Sequence, residues 1–291
     1  MPTTYAHYRF GVQVAERLPE AQRAIIYRNP EPFFIGVHGP DILFYYEPWH
    51  STKVARLGSE MHTLSGKAFF SRSARILTDC ARKAGKPGKT ETIDNISANE
   101  LPEADLSYLY GFLCHFALDR PCHAIIDDEA LRVGSSHNEI EVELDRLLLT
   151  RDGFDAVSRI VTGHIHPSPQ NAAVISKYFP GVSARQLGTA LRTSVIALNL
   201  LVSPGRVKRQ ILVSAMKAAH IYEKHGSLLM SREPVAACAE TLQKLLRLYE
   251  NALPEAVALI TDFTECAAGR KDWDPIMDYN FGGSLGTSQN P

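Results

Sequence analysis

The stretch YLYGFLCHFALDRPCHAII, residues 108–126, decides the fold class. Its apolar residues recur at intervals of three and four, which is the period of an α-helix. The same period runs through NEIEVELDRLLL (138–149) and predicts three further long helices, at 184–202, 206–225 and 234–269. No NG or DG turn lies between β-rich runs, as a hairpin would need. The sequence therefore predicts an all-α fold.

The composition is that of a soluble globular protein. The chain has 291 residues, of which 45% are hydrophobic and 22% charged, with a formal net charge of −1. No repeat or linker divides it, so we expect one domain over 1–291, with a polar loop at 83–105. The last stretch, 272–291, is aromatic and then rich in glycine and serine, so we expect it to pack briefly and then fray. The start of the sequence lacks the pattern of a signal peptide, and no apolar run is long enough to cross a membrane, so we expect a cytoplasmic protein. Near-neutral charge argues against duplex nucleic acid as a partner.

The cysteines do not predict redox or disulfide chemistry. Cys114 and Cys122 are eight residues apart, which is about 12 Å along a helix and too far for a disulfide. No C-x-x-C pair occurs in the chain, which argues against a cysteine-rich zinc knot. We expect free, mostly buried thiols.

The histidines and carboxylates of the opening stretch share one helical face. His115, Asp119 and His123 follow one another at intervals of four, so they could serve one metal ion, or two with the aspartate between them. His137 and Glu141 form a second pair with the same spacing, a common two-ligand clip for zinc. Upstream, the sequence offers three more candidate ligands, which are His7, Asp41 and His62.

In chain order this pattern reads H…D…H…HxxxD…H…HxxxE, and it resembles the zinc-dependent phospholipase C family. The resemblance covers roughly residues 1–150 through these motifs and the helices at 184–269 only by general character. It implies the multi-helical fold that this family shares with P1-type nucleases, with the metal ligands within 1–150.

The resemblance also implies two or three zinc ions. The first would be held by Asp41, His62, His115 and Asp119. The second would be held by His123, His137 and Glu141. The third would use His7, Asp119 as a bridging carboxylate, and the N-terminal residue, which is Pro2 if Met1 is removed.

Several positions depart from this pattern or compete with it. The segment DRPCH (119–123) is shorter than the family's usual spacing, which would displace the second site. His50 is an alternative to His62. His164 and His166 are expected in a solvated turn, Asp145 either beside a metal-binding histidine or at the surface, and Arg120 in a structural ion pair.

The resulting hypothesis is a zinc-dependent phosphodiester hydrolase, active on a small phosphodiester or a phospholipid. Asp41 or Glu141 would accept the proton of the attacking water. A nuclease or nucleotidase using the same metal site is one alternative, and a non-catalytic metal-binding helical protein is the other. The sequence leaves the substrate and the oligomeric state open.

Overall fold

The structure is a computed structural model that describes residues 4–84 and 101–288. In this part of the chain, isolated β-bridges occur but no strand, and the all-α prediction is confirmed. None of the described helices is long and apolar enough to cross a membrane. The helices are α1 (Thr4–Arg17), α2 (Glu20–Arg28), α3 (Pro30–Gly36), α4 (Lys53–Met61), α5 (Gly66–Ala84), α6 (Glu103–Val133), α7 (His137–Arg151), α8 (Pro169–Ser176), α9 (Ala184–Leu201), α10 (Arg206–Ala218), α11 (Tyr222–His225) and α12 (Ala239–Ala267).

The central element is α6, which has 31 residues. All residues from Asp105 to Asp119 are buried. A helix buried on every side lies within a core, and α6 packs against α1, α3, α7 and α12. The helix continues past Pro121 and ends at Gly134, whose φ of 68° is left-handed. The most buried helix therefore carries the histidine and aspartate face.

The predicted helix boundaries need two corrections. The single helix expected at 206–225 is wrong, because α10 ends at Ala218 and His220 has a left-handed φ of 54°. The helix expected from 234 begins only at Ala239, after a short 3-10 turn. Most of the loop expected at 83–105 lies outside the described residues.

The C-terminal segment packs against the rest of the protein, and the packing extends into its glycine- and serine-rich part. Ser65 donates a backbone hydrogen bond to Thr287 and Gly66 donates one to Tyr279, which fixes the segment to the start of α5. Phe281 is completely buried and its ring contacts those of Phe112 and Phe116. The short packed stretch predicted here therefore extends to Thr287, because one aromatic side chain and the backbone hydrogen bonds hold the segment.

Helices α3 and α6 approach each other at two glycines. A Cβ atom on Gly111 would lie 2.1 Å from the carbonyl oxygen of Phe33, and one on Gly36 would lie 2.3 Å from that of Tyr108. No side chain fits at either distance, so the two backbones touch. This contact sets the position of the 3-10 helix Gly39–Tyr45, which follows α3 directly and carries Asp41.

We expect Gly111→Ala to destabilise the protein by about 2 kcal/mol, because the added methyl group forces the two backbones apart. Urea denaturation, with the free energy of unfolding as the readout, tests this. Gly188→Ala in α9 is the matched control, because its Cβ would meet only ordinary contacts of 3.6 Å. That change should be neutral or stabilise the helix slightly. Equal effects of the two substitutions would contradict the close approach.

Candidate metal centre

The first group of possible ligands joins α6 to the 3-10 helix and α4. Asp41 Oδ1 lies 3.1 Å from His62 Nε2, and both side chains reach His115 on α6. The Nδ1 atom of His62 is 2.7 Å from the carbonyl oxygen of Gly58. A proton on Nδ1 is donated to that carbonyl, which leaves Nε2 as the ligand atom.

The second group joins α6 to the start of α7. Glu141 Oε1 lies 3.1 Å from His123 Nε2 and 3.2 Å from His137 Nε2. Ser136 caps α7, which places His137 in the first helical turn and Glu141 one turn later. The short DRPCH segment brings His123 to these two residues. His137 Nδ1 lies 2.6 Å from Asp127, which orients the ring from outside the group.

The third group centres on Asp119, which faces histidines on both sides. Its Oδ1 atom lies 3.1 Å from His7 Nε2 on α1, and its Oδ2 atom lies 3.0 Å from His115 Nε2. His123 Nδ1 is 3.7 Å from the same Oδ2 atom. His7, His115 and Asp119 are all buried. Asp119 and His115 therefore connect the three groups.

The family model of zinc-dependent phospholipase C matches residues 6–190 of the chain. The chain belongs to this family. The matched segment contains all three groups, from His7 to Glu141. No curated protein and no solved structure matched the chain. The zinc-dependent phospholipase C assignment thus rests on the family model, and the geometry of the three groups is independent of it.

The chemistry of these residues fits zinc, which prefers imidazole nitrogen and carboxylate oxygen. His115 Nε2 and Asp119 Oδ2 are buried and 3.0 Å apart, yet neither makes a hydrogen bond of acceptable geometry. Leaving such atoms unpaired costs about 1–3 kcal/mol each. Two ligands of a tetrahedral zinc ion lie about 3.3 Å apart, given bonds of about 2.0–2.1 Å. The separation of these two atoms is close to that of two zinc ligands, and a cation between them would satisfy both.

The charge distribution of the site also favours a cation. Burial acts to raise the pKa of Asp119, but the neighbouring His115, His123 and His7 hold it well below its usual range. Burial also acts to raise the pKa of Glu141, but hydrogen bonds from His123 and His137 lower it. Burial alone would lower the pKa of His137, yet Glu141 and Asp127 raise it to about 9. The carboxylates therefore stay ionised and create the negative field that a metal ion requires.

Asp145 positions α1, and with it His7. Its carboxylate accepts hydrogen bonds from the backbone N–H groups of Tyr5, at 3.0 Å, and Ala6, at 2.8 Å. These N–H groups belong to the first turn of α1 and have no partner within their own helix. Burial raises the pKa of Asp145 to about 7, although the two N–H groups oppose the shift. Asp145 is buried, so the surface alternative is wrong. Its hydrogen bonds within the described residues come from backbone groups of α1 rather than from a histidine.

The sequence interpretation missed the partner of His38. His38 Nε2 lies 2.7 Å from His164 Nε2, and both side chains are buried. Burial lowers the pKa of His164 to about 3 and that of His38 well below its usual value. The pair is therefore neutral and shares one proton in a hydrogen bond. The solvated turn expected for His164 is wrong, because its ring also stacks on Tyr8 of α1; His166 is exposed as expected.

Gly39 was also missed as part of the site. It has a left-handed φ of 50°, and a Cβ atom would lie 2.1 Å from the His115 ring. Only glycine lets the chain pass this close to the imidazole and still place Asp41 two residues later. The HGPD sequence at 38–41 carried this signal.

The remaining candidates have simpler outcomes. Arg120 pairs with Glu255 at 2.9 Å, which is the structural ion pair expected. His50 is exposed and belongs to none of the three groups. Pro2 lies outside the described residues, and its role as a ligand stays a prediction. All five cysteines are free thiols, as expected.

We expect Asp119→Asn to lose at least one equivalent of zinc, because an amide cannot supply two anionic ligand atoms. Zinc content after gel filtration, measured by mass spectrometry, is the readout. Full retention of zinc by the variant would contradict the bridging position of Asp119.

Asp127→Asn provides the control for that experiment. Asp127 orients His137 from outside and is largely exposed. Its replacement should weaken zinc affinity roughly 10–100-fold without lowering the stoichiometry at saturating zinc. Together, the two variants separate loss of a ligand from loss of its orientation.

Proposed function

We propose that the chain is a zinc-dependent phosphoric diester hydrolase of the phospholipase C type. One observation supports this above the others: three groups of possible ligands lie next to one another within the segment that matches the family. Two of the groups share His115, and Asp119 lies 3.7 Å from His123 of the remaining group. Adjacent cation sites suit phosphodiester hydrolysis, because the attacking and leaving oxygens both develop negative charge.

We assign nine residues to holding zinc: Pro2, His7, Asp41, His62, His115, Asp119, His123, His137 and Glu141. Zinc bound there would supply a Lewis acid for the phosphoryl oxygens and would lower the pKa of water toward about 7. The protein's contribution is to hold the ligands before substrate arrives. Burial of His115 and the outer hydrogen bonds of His62 and His137 fix three imidazole rings in place.

Asp41 is the better candidate for the base that accepts a proton from water. Hydrogen bonding to His62 keeps its pKa below the usual range in spite of burial, so the carboxylate is ionised. The Asp41 side chain is 14% exposed, compared with 3% for Glu141. Glu141 Oε1, in addition, lies within hydrogen-bond distance of both His123 and His137. We therefore assign proton transfer to Asp41 and retain Glu141 as the second candidate.

The space beside Asp41 limits what the site can enclose. His7, His38, Asp41, Tyr45 and Ser194 line a small cavity of about 10 Å³ beside it. That is room for about one water molecule. We therefore place the substrate at the mouth of this cavity, with its phosphoryl group towards Asp41.

We expect the zinc-loaded protein to hydrolyse a soluble short-chain phosphatidylcholine faster than single-stranded DNA. Asp41→Asn should lower kcat by about 10²–10⁴-fold, the usual loss on removing a general base. The readout is the rate of phosphodiester hydrolysis, measured for both substrates side by side. Asp262→Asn is the matched control, since this carboxylate pairs with Lys271 at the surface.

Each other result identifies a different function. Faster hydrolysis of DNA would replace the phospholipase proposal with a nuclease. Hydrolysis of neither substrate by protein that contains its full zinc would favour a non-catalytic metal-binding protein. Equal activity of Asp41→Asn and the unmodified protein would contradict the role of Asp41.

A further inference from the structure

Helix α10 presents an apolar strip to solvent. None of its residues is buried. Val207 and Ile211 lie one helical turn apart on the same side and are 71% and 63% exposed. Placed at 100° per residue, Lys208 lies at one edge of this strip, and Arg206 and Lys217 lie at the other. The helix therefore exposes apolar side chains on its outer side in addition to the half-buried Leu212, Val213 and Met216.

Exposed apolar side chains also lie on the outer side of α9 and in the turn after α10. We define the α9–α10 surface as the exposed apolar residues Ile196, Leu200, Val207, Ile211 and Ile221. Each is at least 44% exposed, and isolated exposed residues of this kind are common. Here five occur within 26 residues of chain, on helices that follow one another, and grouped apolar residues mark an interaction surface.

The segment of chain that carries this surface has only positive charges. Residues 156–222 contain no aspartate or glutamate. Their basic residues are Arg159, Lys177, Arg185, Arg192, Arg206, Lys208, Arg209 and Lys217. The whole chain has a net charge of −1, so the positive charge is a local feature. An apolar strip flanked by lysine and arginine is typical of helices that lie in a membrane interface.

We propose that the α9–α10 surface binds the anionic phospholipid surface of a membrane. Val207 and Ile211 enter the boundary between headgroups and acyl chains, while Arg206, Lys208 and Lys217 extend to the lipid phosphates. The proposal rests on the proposed phospholipase activity for its biological purpose. It does not follow from the family match, which ends at residue 190, before this surface begins.

The charges disfavour a second copy of the chain as the occupant. A symmetric dimer places the same surface on both partners. Basic residues would then face basic residues, with no carboxylate from this segment to pair with them. An anionic membrane supplies the missing charge and an apolar phase together.

Helix α9 connects this surface to the candidate metal centre. Its inner side contributes Ser194 and Leu198 to the cavity that contains His7 and Asp41. Its outer side carries Ile196 and Leu200. This cavity is too small to enclose a phospholipid, so an adjoining helix that binds the membrane would present such a substrate to the site.

Sedimentation with vesicles tests the proposal on the intact zinc-loaded protein. The vesicles contain phosphatidylcholine alone or a two-to-one mixture with phosphatidylserine. We expect at least tenfold stronger binding to the mixture. The double variant Val207→Ser/Ile211→Ser should reduce binding to the mixture at least tenfold. The triple variant Arg206→Gln/Lys208→Gln/Lys217→Gln should bind both vesicle types equally weakly.

Matched controls separate this surface from exposed residues in general. The control for the apolar change is Leu131→Ser/Leu285→Ser, which removes two exposed leucines elsewhere. The control for the charge change is Lys53→Gln/Arg56→Gln/Lys67→Gln. Both controls should bind the mixed vesicles like the unmodified protein. Equal losses in control and test variants would overturn the proposal, as would a dimer in light scattering that Ile211→Ser dissociates.

Hydrolysis of a soluble short-chain phosphatidylcholine, measured on the same samples, distinguishes the two proposals. Vesicle binding lost with soluble hydrolysis unchanged supports the membrane surface. No vesicle binding by the unmodified protein, with soluble hydrolysis intact, overturns the membrane surface and leaves the phospholipase. Vesicle binding without hydrolysis of any phosphodiester supports the surface and contradicts the proposed function.

Discussion

The buried carboxylate of Asp119 is the constraint on which the rest of the structure depends. It lies on the most buried helix, between His7 on one side and His115 and His123 on the other. A buried ionised group is costly unless positive charge and hydrogen-bond partners surround it. Here the partners are imidazoles from two helices, and two of the facing atoms make no hydrogen bond. We infer that the arrangement is completed by metal and that the surrounding helices are placed to deliver ligands to it.

Three local devices bring the ligands to α6 from separate parts of the chain. The paired glycines of α3 and α6 let the backbone carrying Asp41 approach closely. Asp145 holds the first turn of α1, and so positions His7. The cap at Ser136 starts α7 at His137, one turn before Glu141. Each device fixes the backbone that carries a ligand: the glycines by direct backbone contact, and Asp145 and Ser136 through side chains that accept hydrogen bonds from backbone N–H groups.

The sequence predicted well what depends on period and order along the chain. The helical period predicted the all-α fold, and intervals of four placed His115, Asp119 and His123 on one face. The sequence did not predict the contacts between distant segments. The pairing of His38 with His164 joins residues 126 positions apart, and no local pattern marks it. Phe281 packs against the His115 ring although its own segment is rich in glycine and serine. The prediction of where α10 ends was wrong for a local reason. The chain leaves the helix at His220, and no glycine or proline signals the turn.

Crystals of the zinc-loaded protein, measured on both sides of the zinc absorption edge, test the central inference most directly. We predict at least two anomalous peaks, one in contact with each carboxylate oxygen of Asp119. Peaks at the surface only, with none within bonding distance of Asp119, would contradict the account.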